Sequence, residues 1–157
     1  MTNHLNLTIR KGTRADASTI AEFNIAMALE TEGKKLDRRK IESGVRGLMN
    51  NPNYGFYLVA VYKEQVVGSL MITFEWSDWR NGLFWWIQSV YVIPEYRRRG
   101  VYRAMYDKVK KLASGDPSVC GFRLYVEKEN LTAQKTYRDL GMDETAYRMF
   151  EEDRIES

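Results

Sequence analysis

Three arginines and a glycine, Arg97-Arg98-Arg99-Gly100, are the residues of this chain best suited to hold an anion. They follow an aromatic and β-branched run, Phe84 to Val92, that stops at Pro94. They precede Val101, Met105, Val109 and Leu112 at helical spacing, with Arg103, Asp107, Lys108 and Lys111 between. The pattern predicts a buried strand, a tight basic turn and an amphipathic helix. Ser114-Gly115-Asp116-Pro117 ends that helix. The first amides of a helix have no acceptor within it, and the helix dipole adds partial positive charge there. A glycine lets the backbone approach a ligand, and arginines add full charges. Phosphate or pyrophosphate suits such a turn. The same residues also fit a solvated basic loop ahead of a helix, and so short a pattern leaves both readings open.

Other chemistry has less support. His4 is the one histidine and stands in a terminus expected to fray, so neither a Ser-His-Asp nor a Cys-His arrangement is expected. The single cysteine, Cys120, lies beside Gly121 with no evident basic partner and reads as structural. It excludes an internal disulfide and a multi-cysteine metal site, and no metal is expected. No Gly-x-x-x-x-Gly-Lys-Ser/Thr loop is present. With 157 residues, 44% hydrophobic, 29% charged and a net charge of +3, the chain reads as one globular domain over residues 1–157. The charge is too small to argue for nucleic acid, and the arginine run is too short for an RNA-binding face. Met1-Thr2-Asn3-His4 lacks the features of a signal peptide, and no apolar run is long enough to cross a membrane. A cytoplasmic location is the expectation.

The elements that must position the turn read as follows. Leu5, Leu7 and Ile9 alternate as a first strand. Thr13 and Asp16 resemble a capping box, and Ile20, Phe23, Met27 and Ala28 form a helical stripe up to Gly33. A second helix starts near Asp37, carries Ile41, Val45, Leu48 and Met49, and stops at Asn50-Asn51-Pro52. Residues 54–62 and 66–76 form a hairpin through Lys63-Glu64-Gln65. A loop over 77–82 leads to the central strand. Beyond the basic turn and its helix come a strand over 122–127 and a helix capped by Asn130 with Ala133, Tyr137 and Leu140 on one face. A final strand over 142–150 and a polar tail to Ser157 complete the chain. The fold class is α/β, a mixed, mostly antiparallel sheet with helices on both faces.

The stretch Tyr91 to Gly100 resembles the acetyl-CoA motif of the GNAT family of N-acetyltransferases, Arg/Gln-x-x-Gly-x-Gly/Ala after a strand. Arg97 takes its first position and Gly100 its first glycine, while Tyr102 stands where the family usually has Gly or Ala. Asn130, Ala133, Tyr137 and Gly141 are similar to the family's later signature, with Met142 in place of its final Phe. The resemblance implies a sheet of six to seven strands in which the strand ending at Pro94 and the strand over 122–127 splay apart. It implies acetyl-CoA as cosubstrate, with pantetheine along the backbone of Val90, Tyr91 and Val92. The pyrophosphate is then expected on the turn of Arg97, Arg98, Arg99, Gly100, Val101, Tyr102 and Arg103, with Asn130 reaching the pantetheine or its neighbouring phosphate and Ala133 and Tyr137 also on the cosubstrate. It implies Tyr137 as the acid that protonates the leaving thiolate, a role beside that of an ordinary core tyrosine.

An N-acetyltransferase also needs a base for the amine. Glu75 is one candidate, with Asp78, Glu30 and Glu32 as others, or a water held by Gln88, Ser89 or backbone carbonyls. Each acid also fits a solvated surface charge. Of Trp76, Trp79, Trp85 and Trp86, half read as core, and the rest could wall an acceptor pocket. Trp76, Asp78, Trp86 and Gln88 are the acceptor-side candidates. The expected reaction is direct transfer from acetyl-CoA to a primary amine of a small molecule or peptide. A non-catalytic acyl-CoA sensor of the same fold is the alternative. Tyr147, Met149 and Phe150 would suit a homodimer contact.

Overall fold

The computed structural model describes residues 5–154. The expectations on His4 and the N-terminal four residues, and the end of the expected polar tail at 155–157, lie outside the described residues. The chain divides into two compact units with the boundary between Tyr125 and Val126.

The first unit holds β1 (Thr8–Lys11), α1 (Ala17–Glu32), α2 (Arg38–Met49), β2 (Gly55–Tyr62), β3 (Gln65–Ser77), β4 (Gly82–Val92), α3 (Val101–Ser114) and β5 (Val119–Arg123). Local signals set most of these bounds. The Asp16 carboxylate accepts the Thr13 amide at 2.7 Å and a bidentate pair from Arg10 ahead of α1. Gly33, in the left-handed region, closes α1. Asp37 accepts the amides of Arg39 and Lys40 and caps α2. Lys63 and Glu64 both take positive φ in a two-residue turn, which suits the twist of the β2–β3 hairpin.

The sheet order is β1-β2-β3-β4-β5, antiparallel except for the parallel β4–β5 pair. Alternation along each strand sends side chains to two faces. Tyr57 and Val59 meet Ala17, Ile20, Ala21 and Val45 of α1 and α2. Gly68 of β3 lies against Val101 and Met105 of α3 on the opposite face. Helices therefore cover both faces, as expected.

Two expectations are corrected. The sheet has five strands among the described residues rather than six to seven, because 142–150 forms no ladder. The strand expected over 122–127 runs instead over Val119–Arg123, and its ladder with β4 ends at Trp86↔Arg123. Alternation of Phe122, Leu124 and Val126 meets the pattern of a strand, but a strand also needs a partner, and β4 offers none to β5 past Trp86.

Past that point β4 carries a β-bulge. Ser69 pairs with Tyr91 and Met71 with Gln88, so β4 has one more residue than β3 in this interval. Ser89 absorbs it with φ 51°. A left-handed non-glycine residue costs about 1–2 kcal/mol, and a β-branched one fits worse. Ser89→Val is expected to lower Tm by roughly 3–8 °C, on the scale of a few degrees per kcal/mol for this size. Ser89→Gly should leave it unchanged or slightly raised. A thermal melt of the two variants checks this, and equal melting of Ser89→Val and wild type would exclude the strain.

The second unit holds α4 (Leu131–Asp139), capped by Asn130, whose side chain accepts the Ala133 amide at 3.1 Å. Ala133, Gln134, Tyr137 and Leu140 form its less exposed face. Tyr147, Met149 and Phe150 are exposed in the segment that follows.

Candidate functional site

The basic turn is built by two left-handed residues. Arg98 takes φ 62° and Gly100 φ 81°. Gly100 is the N-cap of α3, so no side chain caps the helix. The first intrahelical bond runs from the Ala104 amide to the Gly100 carbonyl, and the first turn of α3 opens on an N-cap with no side-chain cap bond. A Cβ added at Gly100 would meet no atom within 4 Å. The glycine is thus required by its φ, and the space in front of it is open. Val101 is anchored in the core, so its contribution to a ligand is its backbone. Tyr102, at the family's usual Gly/Ala position, stacks on Tyr106 at 6.2 Å, and Tyr106 meets Phe122 edge-on. Its ring is therefore used in packing along α3.

The three arginines divide their work. Arg98 is exposed, while Arg99 lies over the Tyr96 ring at 5.3 Å. Arg97 folds back. Its Nε donates to the Val92 carbonyl at 2.8 Å, its Nη2 pairs with Glu30 at 2.8 Å, and its guanidinium covers the Tyr91 ring.

Beyond Trp86 the outer edge of β4 has no strand partner among the described residues. The Ile93 amide bonds to Val67 on β3. By alternation the Val92 amide and carbonyl point away from β3, to the open edge. An extended ligand could pair there as an added strand. Without the bulge, Tyr91 and Gln88 would lie on opposite faces. With it, both face α1, and Tyr91 packs on Phe23 at 5.1 Å and donates to Glu30. Burial and the Glu30 carboxylate push the Tyr91 phenol up.

The α1 face of the sheet also carries Glu75, Thr73, Trp86 and Arg123. Thr73 pairs with Trp86, and Trp86 with Arg123. Gln88 donates to Thr73 at 2.6 Å, Glu75 accepts from Arg123 at 2.6 Å, and the Trp86 ring lies 6.2 Å from Tyr125. Three sequence candidates, Glu75, Trp86 and Gln88, thus share one partly open face. Trp76 lies on the other face, 60% exposed, and Asp78 lies in the turn where the Asn81 amide reaches its carbonyl. The structure does not bring these two to the others. Trp85 is core, between Phe56 and Phe122. Sequence reasoning missed Arg123 and Thr73. Their signal was strand alternation in phase with Glu75 and Trp86, visible only once the register is known. In the second unit, burial pushes the Tyr137 phenol up. Cys120 is exposed.

The model of the acetyltransferase (GNAT) family matches residues 19–142. The chain belongs to this family. The match spans the Arg97–Gly100 turn, the β4 edge and Tyr137. A possible acetyltransferase from Clostridium difficile 630 is similar at 45% identity over 96% of this GNAT chain and 99% of that one, with TM-score 0.88. A predicted acetyltransferase with acetyl-CoA from Clostridium acetobutylicum shares the fold at 18% identity, over 93% and 96% of the two chains, TM-score 0.74. So does AAC(6')-Iy in complex with the bisubstrate analogue CoA-S-monomethyl-acetylneamine, at 14% identity, over 96% and 99%, TM-score 0.75. A comparison with curated protein sequences gave no match. No helix among the described residues is long and apolar enough to cross a membrane.

Proposed function

We propose that this GNAT chain is an N-acetyltransferase that passes the acetyl group of acetyl-CoA directly to a primary amine in a ternary complex. The observation that carries this reading is the uncapped start of α3, framed by left-handed Arg98 and Gly100, beside the outward-facing Val92 amide on the edge of β4. The residues present suit the cosubstrate. Open space at Gly100 and the uncapped start of α3 fit a pyrophosphate, with Arg98, Arg99 and Arg103 adding charge. The outward Val92 amide fits a pantetheine amide or the thioester oxygen.

Glu75 takes the proton of the attacking amine. Arg123 holds its side chain at 2.6 Å, on the face that also carries Trp86 and Gln88. Tyr137 gives a proton to the departing thiolate. Its raised pKa keeps the phenol protonated at neutral pH, as an acid requires. The bound bisubstrate analogue in AAC(6')-Iy supports a small-molecule amine as the acceptor class.

The test is release of free CoA thiol from acetyl-CoA across a panel of small amines and lysine peptides. Amine-dependent release is expected from wild type and from Cys120→Ala alike, because Cys120 is no nucleophile in direct transfer. Tight acetyl-CoA binding without release for any amine would favour the sensor reading. A stable acetylated enzyme formed without acceptor would overturn direct transfer.

A further inference from the structure

We propose that Glu30 is a positioning residue of this acetyltransferase: through Arg97 and Tyr91 it holds the outward edge of β4 and the anion turn in one geometry. The inference rests on the functional reading above, which places acetyl-CoA on that edge and turn.

Four groups from three parts of the fold close on one another. The Glu30 carboxylate, near the end of α1, uses both oxygens: Oε1 accepts from the Tyr91 hydroxyl at 3.1 Å and Oε2 from Arg97 Nη2 at 2.8 Å. Arg97 directs its Nε to the Val92 carbonyl, and its flat face covers the Tyr91 ring at 5.3 Å. The connection from β4 to α3 also has local backbone bonds, from Tyr96 to Ile93 and from Arg97 to Pro94, a bond from Ile93 to Val67 of β3 and an edge contact of Tyr96 with Tyr62. Glu30 therefore ties the turn to α1 across a separation of 67 residues.

Two effects of Glu30 oppose each other. Its negative charge, close to an anion site, disfavours a phosphate. Its hydrogen bonds fix Arg97, and with it the Val92 carbonyl whose amide partner faces the ligand. A bidentate contact spanning two elements is a geometric device, and preorganising a site raises affinity by removing the cost of ordering it on binding. The bulge at Ser89 exists on the same side: it turns Tyr91 toward α1, where Glu30 meets it. The ion pair is about half exposed, at 43% and 41%, so it adds little to stability, and its loss should leave the fold intact.

Calorimetry with acetyl-CoA and steady-state kinetics on four variants, Glu30→Ala, Glu30→Gln, Arg97→Ala and the Glu30→Ala/Arg97→Ala pair, separate these effects. Glu30→Ala should weaken binding and raise the acetyl-CoA KM about tenfold, with kcat changed less than about threefold, because Glu30 touches no reacting atom. Glu30→Gln keeps the acceptor oxygen and the reach while removing the charge. It should rescue affinity to within about threefold of wild type. In an Arg97→Ala background, Glu30→Ala should cost nothing further, since the effect acts through Arg97. Melting temperatures should agree within a few degrees across the set. Equal or tighter binding by Glu30→Ala at wild-type melting temperature overturns the inference, as do additive losses in the double variant. A wild-type chain that gives no binding heat with acetyl-CoA overturns the functional reading and this inference with it. Wild-type binding with an unaffected Glu30→Ala overturns this inference alone.

Discussion

Replacing Tyr137 by phenylalanine is expected to lower kcat by roughly tenfold to a thousandfold while leaving acetyl-CoA affinity nearly unchanged, the signature of a lost general acid. That range corresponds to about 1.4–4 kcal/mol of transition-state stabilisation. The ring stays, so the packing of α4 along Ala133 and Leu140 stays. What is lost is a proton donor whose pKa is raised by burial. The sign of the pH dependence follows. A phenol shifted upward from its ordinary value near 10 is fully protonated from pH 6 to 9. It therefore sets no alkaline limb in that window, and any rise in rate with pH there reports deprotonation of the base or of the amine. Steady-state kinetics of wild type and Tyr137→Phe across this range check both points. Full activity of the variant at every pH would assign the thiolate's proton to a water or another group, and Tyr137 would then be a packing residue.

Gly100→Asp should weaken acetyl-CoA binding by about 5- to 150-fold. The magnitude comes from placing one carboxylate about 5 Å from a phosphate charge. At an effective dielectric of 20 to 80 that costs about 1–3 kcal/mol. Gly100→Ala is the control that separates charge from backbone. A Cβ there meets nothing within 4 Å, so alanine brings only the strain of φ 81°, about 1–2 kcal/mol. Part of that strain is common to both variants, and aspartate bears left-handed φ more easily than alanine does. Binding by Gly100→Asp should therefore be markedly weaker than by Gly100→Ala in calorimetry at low salt, and the gap should narrow as salt rises. If the two variants bind equally and independently of salt, the pyrophosphate does not sit on this turn.

Local physics makes much of this molecule legible in its sequence. The stripe Val101, Met105, Val109 defines α3 because helical spacing is a property of neighbours along the chain. The Asp37 cap and the Gly33 stop are single-residue events within one turn of helix. The basic turn is readable for the same reason: its strand stop, glycine and helix start lie within about ten residues, the span of a short motif. The family resemblance carried by those residues and by the Asn130–Gly141 stretch points to the acetyltransferase family to which the chain belongs.

What only the tertiary structure decided is long-range pairing. A strand pattern says which side chains alternate but not which partner it meets, and a shift of one residue exchanges the two faces. The extra residue at Ser89 makes that shift inside β4, so Gln88 and Tyr91 face α1 together although their parity in sequence sets them apart. Trp76 and Glu75 are neighbours in sequence and lie on opposite faces of β3. Alternation alone could place the strand over 122–127, and the absence of a partner past Trp86 moved it to Val119–Arg123. The segment 142–150 has strand-like residues and no ladder, because a strand's hydrogen bonds come from another strand. The pairs Glu75–Arg123 and Glu30–Arg97 join residues 48 and 67 apart. Contacts of that range are set by register and by the packing of helices on the sheet, so no spacing in the sequence announces them.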